Sequence, residues 1–436
     1  MSDNRLIQEN LAINEKGHLT FAGVDTVDIA DEFGTPTYVL DENLIRKNCN
    51  IYKSAFEKFL PAGSMPLFAS KALSFKEIYR IMKSENMYID IVSPGELYTA
   101  FEAGFPLQHA FFHGSNKTDD DIRFGFDKGI GYFVVDNVPE LLEINKQARD
   151  RGIIQNIIMR VTPGIDPHTH EKINTGRVDS KFGTPIETGA AEEFYKLVYH
   201  CRSVKLCGFH SHIGSQIFDV APFSDAARIM IEFIAMLKNK YNFDTEYLNL
   251  GGGFGVRYVA SDPVIDYAER IEKLSLELKS HCDEHNIEMP KILLEPGRSI
   301  VAAAGLTLYS VGAVKKTEGF KNYVSIDGGM TDNPRYALYE SPYTVCLANK
   351  MNDKCDFEST IAGRCCESGD LIQENVAIPE PERGDTIAVL CTGAYNYSMA
   401  SNYNRIPRPP VLIVKDGEVR VGVNRETYAD LCSLDV

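Results

Sequence analysis

The 436-residue chain is short of positive charge and of long apolar segments. Its 45 lysines and arginines are outnumbered by 61 aspartates and glutamates, which gives a formal net charge of -16. Because this charge repels nucleic-acid phosphates and anionic lipids, we expect no nucleic-acid or membrane partner. No apolar run approaches the length of a membrane span, and the N-terminus lacks the basic-then-apolar pattern of a signal peptide. The sequence therefore predicts a soluble, cytoplasmic protein.

The cysteines provide neither a disulfide framework nor a zinc motif. The ten cysteines are scattered, only Cys365 and Cys366 are adjacent, and no pair has Cys-x-x-Cys spacing. In a cytosolic chain of this size such cysteines are mostly reduced packing residues. Apolar residues at 44% and charged residues at 24% are normal for a globular protein, and the length favours two domains.

From about residue 42 to residue 300, short apolar segments alternate with amphipathic helical segments. The predicted strands are Leu67–Ala69, Tyr88–Val92, Ala110–His113, Tyr132–Val135, Ile157–Val161, Leu206–His210, Tyr247–Leu250 and Ile292–Leu294. Eight such strands over roughly 250 residues are typical of a (β/α)8 barrel. A doubly wound open sheet is the alternative, because the sequence does not reveal strand order.

Beyond about residue 300 the pattern changes to short β-rich segments with turn signals. Leu306–Val314 and Thr386–Leu390 are examples, and Lys415-Asp416-Gly417-Glu418 indicates a hairpin. Because the barrel begins near residue 42, the N-terminal strands are expected to join this part of the chain. The predicted fold is therefore α/β, with a barrel at 42–300 and a second, mostly β domain built from 1–41 and 301–436.

Lys71 is the first candidate for chemistry. In the stretch Met65–Leu73 a short apolar strand runs straight into this lysine. An ammonium group in apolar surroundings is costly to desolvate, and burial lowers its pKa, as a Schiff-base lysine requires. By itself, however, a lysine at a strand end also fits a side chain that extends to solvent.

The other predicted strand ends also carry polar or glycine-rich segments, and the C-terminal ends of barrel strands form the active-site face. Strand two contains Asp90, strand six ends in His210 and continues to His212, and strand eight is followed by Glu295. Alternation places the two histidines on the same side, where they face a ligand or pack. A metal pair is an alternative, although no acidic or cysteine ligand has a supporting spacing.

The loop Gly251-Gly252-Gly253-Phe254-Gly255 follows strand seven. It does not match the dinucleotide fingerprint, and no helix begins directly after it. Glycine turns after strands seven and eight of a barrel are the usual phosphate site, since backbone N–H groups approach an anion without hindrance from Cβ atoms. A lysine, phosphate-binding turns and the carboxylate of Glu295 are together what a pyridoxal phosphate enzyme needs.

At this point the motifs match a known family. The chain resembles diaminopimelate decarboxylases, pyridoxal phosphate enzymes of the alanine-racemase-like fold, over nearly its whole length. The barrel motifs are Phe68-Ala69-Ser70-Lys71, His210-Ser211-His212-Ile213-Gly214-Ser215-Gln216, Gly251-Gly252-Gly253-Phe254-Gly255 and Glu295-Pro296-Gly297-Arg298. The more specific C-terminal motifs are Asp332-Asn333-Pro334-Arg335-Tyr336-Ala337-Leu338-Tyr339, Cys366-Glu367-Ser368-Gly369-Asp370 and Gly393-Ala394-Tyr395.

The resemblance implies a set of cofactor-binding residues. Lys71 would hold pyridoxal 5'-phosphate as a Schiff base, and His212 would stack on its ring. Glu295 would bond the pyridinium nitrogen, with Asp90 supporting that network. The phosphate would be held by Ser215, Gly253, Glu295, Pro296, Gly297, Arg298 and Tyr395.

The resemblance also implies substrate-binding and catalytic residues. Cys366 would donate the proton that replaces the lost carboxylate, and Glu367 would bind the far ammonium group. Both are expected to reach across a head-to-tail homodimer into the partner's site. The substrate-binding residues would be Arg298, Arg335, Tyr339, Glu367 and Tyr395.

The same C-terminal residues have simpler interpretations when taken one at a time. Arg335 and Tyr339 are four residues apart, which also suits the solvated face of a helix. Cys366 alone would be a buried thiol, Glu367 part of an ordinary turn, and Tyr395 a core aromatic residue of the β domain. Only the resemblance assigns these positions to a substrate.

The predicted function is decarboxylation of meso-2,6-diaminopimelate to L-lysine and carbon dioxide. Alternatives are the same chemistry on ornithine, arginine or D-lysine, a racemase of related barrel fold, and a regulatory paralogue without cofactor. A dinucleotide oxidoreductase is disfavoured, because the glycine loop lacks that fingerprint. No metal is predicted, and the expected partners are a small amino-acid substrate and a second copy of the chain.

Overall fold

The computed structural model describes residues 5–165 and 180–436. They group into two compact units. The first consists of Cys49–Gly255 and Ile265–Gly297, and the second of Met1–Asn48, Val256–Val264 and Arg298–Val436. None of the described helices is long and apolar enough to cross a membrane.

The strands are short and occur along the whole described chain. They are β1 (Leu11–Ile13), β2 (Leu19–Phe21), β3 (Val24–Asp25), β4 (Thr37–Asp41), β5 (Met65–Ala69), β6 (Tyr88–Ile91), β7 (Ala110–Phe112), β8 (Tyr132–Val135), β9 (Gln155–Thr162), β10 (Thr184–Pro185), β11 (Val204–His210), β12 (Tyr247–Asn249), β13 (Lys291–Leu294), β14 (Gly305–Lys315), β15 (Tyr323–Ile326), β16 (Val345–Leu347), β17 (Phe357–Ala362), β18 (Leu371–Ile378), β19 (Thr386–Leu390), β20 (Val411–Lys415) and β21 (Glu418–Val423).

The longer helices alternate with the strands of the first unit. The helices are α1 (Thr26–Phe33), α2 (Glu42–Phe59), α3 (Lys76–Ser84), α4 (Pro94–Glu102), α5 (Asp119–Lys128), α6 (Val138–Asp150), α7 (Ala190–His200), α8 (Ala221–Tyr241), α9 (Tyr267–His285), α10 (Arg298–Val301), α11 (Arg335–Tyr339) and α12 (Tyr428–Cys432). Asp41 caps α2 by accepting the N–H of Leu44 at 3.0 Å.

Eight parallel strands of the first unit close into a barrel. Their order is β5-β6-β7-β8-β9-β11-β12-β13, and β13 pairs in turn with β5, where Leu294 lies opposite Pro66. The predicted (β/α)8 barrel is therefore confirmed, and the open doubly wound sheet is excluded because the first and last strands are hydrogen-bonded to each other.

Side chains from the strands fill the barrel interior. One buried cluster takes a single residue from each of seven strands, and Tyr88 of the eighth strand packs against it. The members of the cluster are Leu67, Phe111, Val134, Ile158, Cys207, Tyr247 and Leu293. Because side chains fill the barrel interior, a ligand cannot bind there. The active site of such a barrel instead lies at the rim formed by the carboxyl ends of the strands.

The second unit is built around a mixed sheet in the order β18-β17-β15-β14-β4-β20-β21, with β19 pairing to β14 and β16. The N-terminal strand β4 is antiparallel to β14 and parallel to β20, so both ends of the chain form one sheet, as predicted. The predicted hairpin joins β20 to β21, and its two turn residues, Asp416 and Gly417, both have positive φ.

The sequence pattern misses three strands of this sheet and one feature near the N-terminus. β16, β17 and β18 are not predicted. In β18 the reason is that Gln373, Glu374 and Asn375 occupy its centre, so that it lacks a clear apolar pattern. The pattern of Val24 to Phe33 predicts only an amphipathic turn, whereas the structure has a two-residue strand, Val24–Asp25, followed by the helix α1. Asp25 caps that helix by accepting the N–H of Val27.

Candidate active site

Lys71 lies on a tight turn directly after the first barrel strand. Ser70–Ala72 forms a single turn of 3-10 helix, so the chain bends at the point where the lysine side chain emerges. The side chain is partly exposed, and its ammonium group interacts electrostatically with Asp90, Glu96 and His212. The lysine therefore lies in the electrostatic environment of two other residues that the sequence selects.

Glu295 is the centre of a buried polar cluster at the carboxyl end of the barrel. Asn249 donates its amide N–H to Oε1 of Glu295 at 2.7 Å. Nε2 of His113 lies 3.0 Å from the same oxygen, and Nε2 of His210 lies 3.5 Å from the other. Burial opposes the charge on Glu295, but His113 and His210 outweigh it and hold the pKa of Glu295 well below its ordinary value. Glu295 is therefore ionised at neutral pH.

Asp90 lies in the strand next to the Lys71 turn, opposite Ala69 in the barrel register. It is 2% exposed, and its Oδ1 has no hydrogen-bond partner among the described residues. Burial, followed by the negative charge of Glu295, raises the pKa of Asp90 to about 6. Two neighbouring buried carboxyl groups do not both ionise readily, so Glu295 carries the charge and Asp90 titrates near neutrality.

The two predicted histidines have different partners. His210 is directed at Glu295, and its ring meets that of His113 edge-on, with 4.8 Å between the ring centroids. His212 instead accepts the N–H of Gly252 on Nδ1 at 3.3 Å. Burial lowers the pKa of His210 to about 3 and that of His212 well below its ordinary value, so both imidazoles are neutral.

One group of potential metal ligands occurs among the described residues, and it differs from the pair His210 and His212 that the sequence analysis considers. The ligand atoms of His113, His210 and Glu295 all lie within 4.8 Å of one another. The amide of Asn249 already donates to Glu295, and Nε2 of each imidazole lies within 3.5 Å of one of its oxygens. We interpret the cluster as a carboxylate held in place for a cationic partner.

The glycine loop after β12 lies so close to neighbouring backbone that side chains do not fit. A Cβ on Gly252 would be 2.1 Å from the carbonyl oxygen of Glu295. Gly253 has a φ of +115°, and a Cβ there would be 2.3 Å from the carbonyl oxygen of Gly214. Three strand-end loops therefore meet backbone to backbone, which is how main-chain N–H groups form an anion-binding cradle.

Ser215 and the turn after β13 belong to the same rim. Ser215 lies in the loop that follows β11, and the N–H two residues later donates to the carbonyl of Gly253 at 2.9 Å. Pro296 accepts the N–H of Ala69 at 3.1 Å, and a Cβ on Gly297 would be 2.8 Å from the Cβ of Ala69. The structure thus brings the predicted phosphate-binding turns and the Lys71 strand to one rim of the barrel.

Arg298 belongs to the second compact unit. It is 7% exposed and donates from Nη1 to the hydroxyl of Tyr258 at 2.7 Å. Its guanidinium carbon lies 4.7 Å from the ring centroid of Tyr395, which has a φ of +62°. Arg298 and Tyr395, two of the residues selected from the sequence, are therefore neighbours in the structure.

Arg335 is the first residue of α11 and is 5% exposed. It donates from Nη1 to the hydroxyl of Tyr343 at 2.7 Å and from Nη2 to the hydroxyl of Ser341 at 3.1 Å. No carboxylate of the described chain lies within salt-bridge distance of it. Tyr339, at the other end of the helix, is partly exposed. Because Arg335 is buried, the alternative that it lies on the solvated face of a helix is wrong.

Cys366 and Glu367 lie on the loop between β17 and β18, and both side chains are exposed on this chain. The backbone N–H of Cys366 donates to the side-chain oxygen of Asn404 at 2.9 Å. The simpler interpretation of Cys366 as a buried thiol is therefore wrong, because the loop turns it outward.

Sequence reasoning missed several polar residues that contact the selected ones. His113 had a usable signal, since it directly follows β7 just as Glu295 follows β13. Asn249, as the last residue of β12, had a similar one. Tyr258 and Tyr343 had no such signal, because no pattern places them at a strand end.

Comparison with known proteins agrees with this geometry. Residues 42–302 match the family model described as the pyridoxal binding domain of pyridoxal-dependent decarboxylases. The chain is 43% identical to the diaminopimelate decarboxylase of Bacillus subtilis, over 97% of this chain and 96% of the relative. It is 44% identical to that of Bacillus methanolicus, over 95% and 96% respectively. The chain belongs to the diaminopimelate decarboxylase family.

Solved structures give the same result for the fold. The crystal structure of diaminopimelate decarboxylase from M. jannaschii superposes with a TM-score of 0.90 at 35% identity and covers 98% of both chains. The Helicobacter pylori structure, complexed with L-lysine, has a TM-score of 0.86 at 29% identity, over 94% of this chain and 99% of that one.

Members of the diaminopimelate decarboxylase family are carboxy-lyases that use pyridoxal phosphate. This chain is likewise a carboxy-lyase that uses pyridoxal phosphate. The residues present fit the cofactor. The glycine cradle around Gly252 and Gly253 suits a phosphate, and the ionised, buried Glu295 suits a cationic ring nitrogen. The unsatisfied Oδ1 of Asp90 is a further polar atom that faces this buried environment.

Proposed function

We propose that the chain decarboxylates meso-2,6-diaminopimelate at its D centre and releases L-lysine and carbon dioxide, the last step of lysine biosynthesis. The observation that carries the proposal is the placement of Lys71 and Glu295 after adjacent strands, β5 and β13, beside a glycine cradle. When bound, pyridoxal phosphate accepts the electron pair that the departing carboxylate leaves behind. The chain's own residues must then hold the cofactor, orient the substrate and deliver a proton.

Lys71 holds the cofactor covalently through its amine in this proposal. His212, whose imidazole is neutral, would lie against the cofactor ring, because an uncharged imidazole stacks on it without adding a second cation. Asp90 supports the network around Glu295. The residues that hold the phosphate are Ser215, Gly253, Glu295, Pro296, Gly297, Arg298 and Tyr395.

Glu295 would keep a proton on the ring nitrogen of the cofactor. Its carboxylate is ionised and 6% exposed, so its attraction to a cation is weakly screened. Asn249 holds one carboxylate oxygen by a 2.7 Å hydrogen bond that leaves the charge in place, and Nε2 of His113 lies 3.0 Å from the same oxygen. By holding that proton, Glu295 would make the bound cofactor a better electron acceptor, and this would be its contribution to the loss of the carboxylate.

The far end of the substrate determines selectivity. Arg298, Arg335 and Tyr339 bind the far carboxylate, with Tyr395 beside them, and Glu367 binds the far ammonium group. Support comes from Arg335, which is buried and charged and has only hydroxyl acceptors among its hydrogen bonds. A buried guanidinium without a carboxylate partner is costly, and a substrate carboxylate removes that cost through charge-assisted hydrogen bonds.

Cys366 supplies the proton that replaces the lost carboxylate, and it does so in the site of a partner subunit. The exposure of Cys366 and Glu367 on this chain supports that arrangement, since exposed residues are available to a second copy. The proposal therefore includes a homodimer with shared active sites. It also includes a cytoplasmic location, where the ten cysteines, none of which forms a disulfide, stay reduced.

The test is a comparison of substrates. Purified enzyme with added pyridoxal phosphate is supplied with meso-diaminopimelate, L-ornithine, L-arginine, L-lysine or D-lysine, and carbon dioxide and amine products are measured. We expect release of carbon dioxide and L-lysine from meso-diaminopimelate at a kcat/KM far above that for the others. A preference for any other amino acid contradicts the substrate assignment. A protein that binds no cofactor and releases no carbon dioxide would instead be a regulatory paralogue.

A further inference from the structure

Tyr258 contacts both of the arginines that the proposed function assigns to the far carboxylate. Its hydroxyl accepts a hydrogen bond from Nη1 of Arg298 at 2.7 Å. The guanidinium carbon of Arg335 lies 4.8 Å from the centroid of the Tyr258 ring. One side chain that is 2% exposed therefore orients one arginine with its oxygen and the other with its aromatic face.

The backbone of Tyr258 is itself held in place. The carboxylate of Asp262 accepts the N–H of Tyr258 at 2.9 Å and the N–H of Val259 at 3.2 Å. The carbonyl of Tyr258 accepts the hydroxyl of Thr344 at 2.9 Å. Because these bonds fix the backbone on both sides of its Cα, the tyrosine ring has little freedom to follow a moving arginine. It is a preorganised support rather than an adaptable one.

Tyr343 completes the support on the side of Arg335. Its hydroxyl accepts from Nη1 of Arg335 at 2.7 Å, and its ring meets that of Tyr258 edge-on, with 5.5 Å between the centroids. Asn396 lies within 3.4 Å of the same hydroxyl. Hydroxyl groups orient a guanidinium but do not neutralise its charge, so the positive charge of Arg335 remains available to an anion.

We propose that Tyr258 is a positioning residue that sets the affinity of the enzyme for the far carboxylate of its substrate. An arginine side chain that becomes ordered only when the ligand binds loses rotamer freedom, and this loss weakens binding. Two arginines therefore bind a carboxylate more tightly when both guanidinium planes are aligned beforehand. Tyr258 provides that alignment through two different interactions. The inference rests on the proposed function, since it takes the far carboxylate as the ligand.

The product provides a probe that isolates this contact. Decarboxylation at the D centre leaves L-lysine with the far carboxylate intact, whereas cadaverine (1,5-diaminopentane) has the same chain and no carboxylate. Binding of both ligands to the holoenzyme is measured by calorimetry and as competitive inhibition, together with KM and kcat for meso-diaminopimelate. Absorbance of the bound cofactor is recorded for every variant, because Arg298 is also assigned to the phosphate.

The first variant is Tyr258→Phe, which keeps the ring beneath Arg335 and removes the hydroxyl that Arg298 uses. Loss of a hydrogen bond to a charged group predicts that the Kd of L-lysine and the KM both rise about tenfold. The second variant, Tyr258→Leu, also removes the aromatic face and is expected to raise both values about a hundredfold. Cadaverine binding, kcat and the cofactor spectrum should stay close to wild type.

The matched control is Tyr336→Phe. Tyr336 is a partly exposed tyrosine whose hydroxyl donates to Glu374 at 2.7 Å, and it has no role in the proposed site. This control should leave L-lysine affinity unchanged. The inference is overturned if Tyr258→Phe binds L-lysine as the wild type does, or if it weakens cadaverine and L-lysine equally. Failure of the wild type to release carbon dioxide from meso-diaminopimelate would refute the proposed function instead.

Discussion

The carboxylate of Asp370 accepts the backbone N–H of Cys365 at 2.7 Å and, through its other oxygen, the N–H of Met330 at 2.6 Å. Asp370 is 3% exposed, so these bonds are shielded from water. The loop that carries Cys366 and Glu367 is thereby tied to the turn that precedes α11. A buried carboxylate that accepts two backbone N–H groups is a strong local restraint.

We predict that Asp370→Asn impairs catalysis more than substrate binding. The amide has one oxygen where the carboxylate had two, so either Cys365 or Met330 loses its acceptor. A loop displaced by a fraction of an ångström should lower kcat about tenfold, since positioning errors act strongly on rate. Steady-state kinetics and thermal unfolding test this, with Asp353→Asn, at an exposed aspartate, as the matched control. Wild-type kcat in the Asp370 variant would show that the restraint is dispensable.

A second prediction concerns the shared site. Lys71→Ala should be inactive, because no other amine replaces the one that holds the cofactor, and its fold should remain largely intact. Cys366→Ala should be inactive through loss of the proton donor. An equal mixture of the two chains should regain about a quarter of wild-type activity, since half of the dimers are mixed and each restores one of its two sites.

The mixing experiment needs proof that subunits exchange. A tag on one variant and co-purification of the other provides it, and each variant mixed with itself is the control. Recovery identifies sites built from two chains. If exchange is confirmed and no activity returns, Cys366 acts within its own chain, or it is not the proton donor.

A third prediction concerns the charge on Glu295. Glu295→Gln keeps the size of the side chain and removes the carboxylate that attracts a ring cation. We expect kcat/KM to fall by about 10^2–10^3, the usual cost of losing a preorganised electrostatic contact. The cofactor should still bind, as judged by absorbance. The control is Glu246→Gln, which precedes β12 at the opposite end of the barrel strands and should leave kcat/KM unchanged. An active Glu295→Gln enzyme would contradict the role.

A fourth prediction concerns stability and pH. Asp332 is 1% exposed, accepts the N–H of Gly329 at 2.9 Å and is hydrogen-bonded by the hydroxyl of Tyr309. Burial is the main cause that raises the pKa of Asp332 to about 7. Because the folded protein holds this proton more tightly than the unfolded chain, whose aspartates titrate near pH ~4, the stabilisation is complete below about pH 4 and is lost as the pH rises through about 7.

Asp332→Asn should therefore flatten the pH dependence of stability. The wild type should lose up to about 4 kcal/mol relative to the variant between pH 4 and pH 8. Urea unfolding of both proteins across that range measures the difference. Parallel pH profiles for the two proteins would mean that Asp332 has an ordinary pKa in the folded state.

Much of the barrel could be predicted from the sequence because each strand is a short apolar segment with its own turn signal. One rule points to Lys71, Asp90 and His210, namely that residues at the carboxyl ends of barrel strands face the active site. The structure places all of them at those ends. The same rule applied to the strand before His113 would have found that residue too.

The second unit was less predictable. β17 and β18 are half-exposed and interrupted by polar residues, so alternation does not reveal them. The exposure of Cys366 also required the structure, since a lone cysteine in a sequence is more often buried. The roles of Cys366 and Glu367 stay predictions. They rest on the family resemblance, and the mixing experiment tests whether Cys366 acts in the partner's site.

The sequence by itself determined the order of strands and helices and the identity of the residues at the strand ends, because hydrophobic periodicity and turn chemistry are local properties. Only the tertiary structure decided that Asn249 meets Glu295, 46 residues away, and that Tyr258 meets Arg298, 40 residues away. The first contact depends on the pairing of β12 with β13, and the second on the folding of the second unit, which brings Val256–Val264 and the segment from Arg298 together. The lowered pKa of Glu295, and the alignment of Arg298 and Arg335 that we propose for Tyr258, both arise from contacts between residues far apart in the sequence.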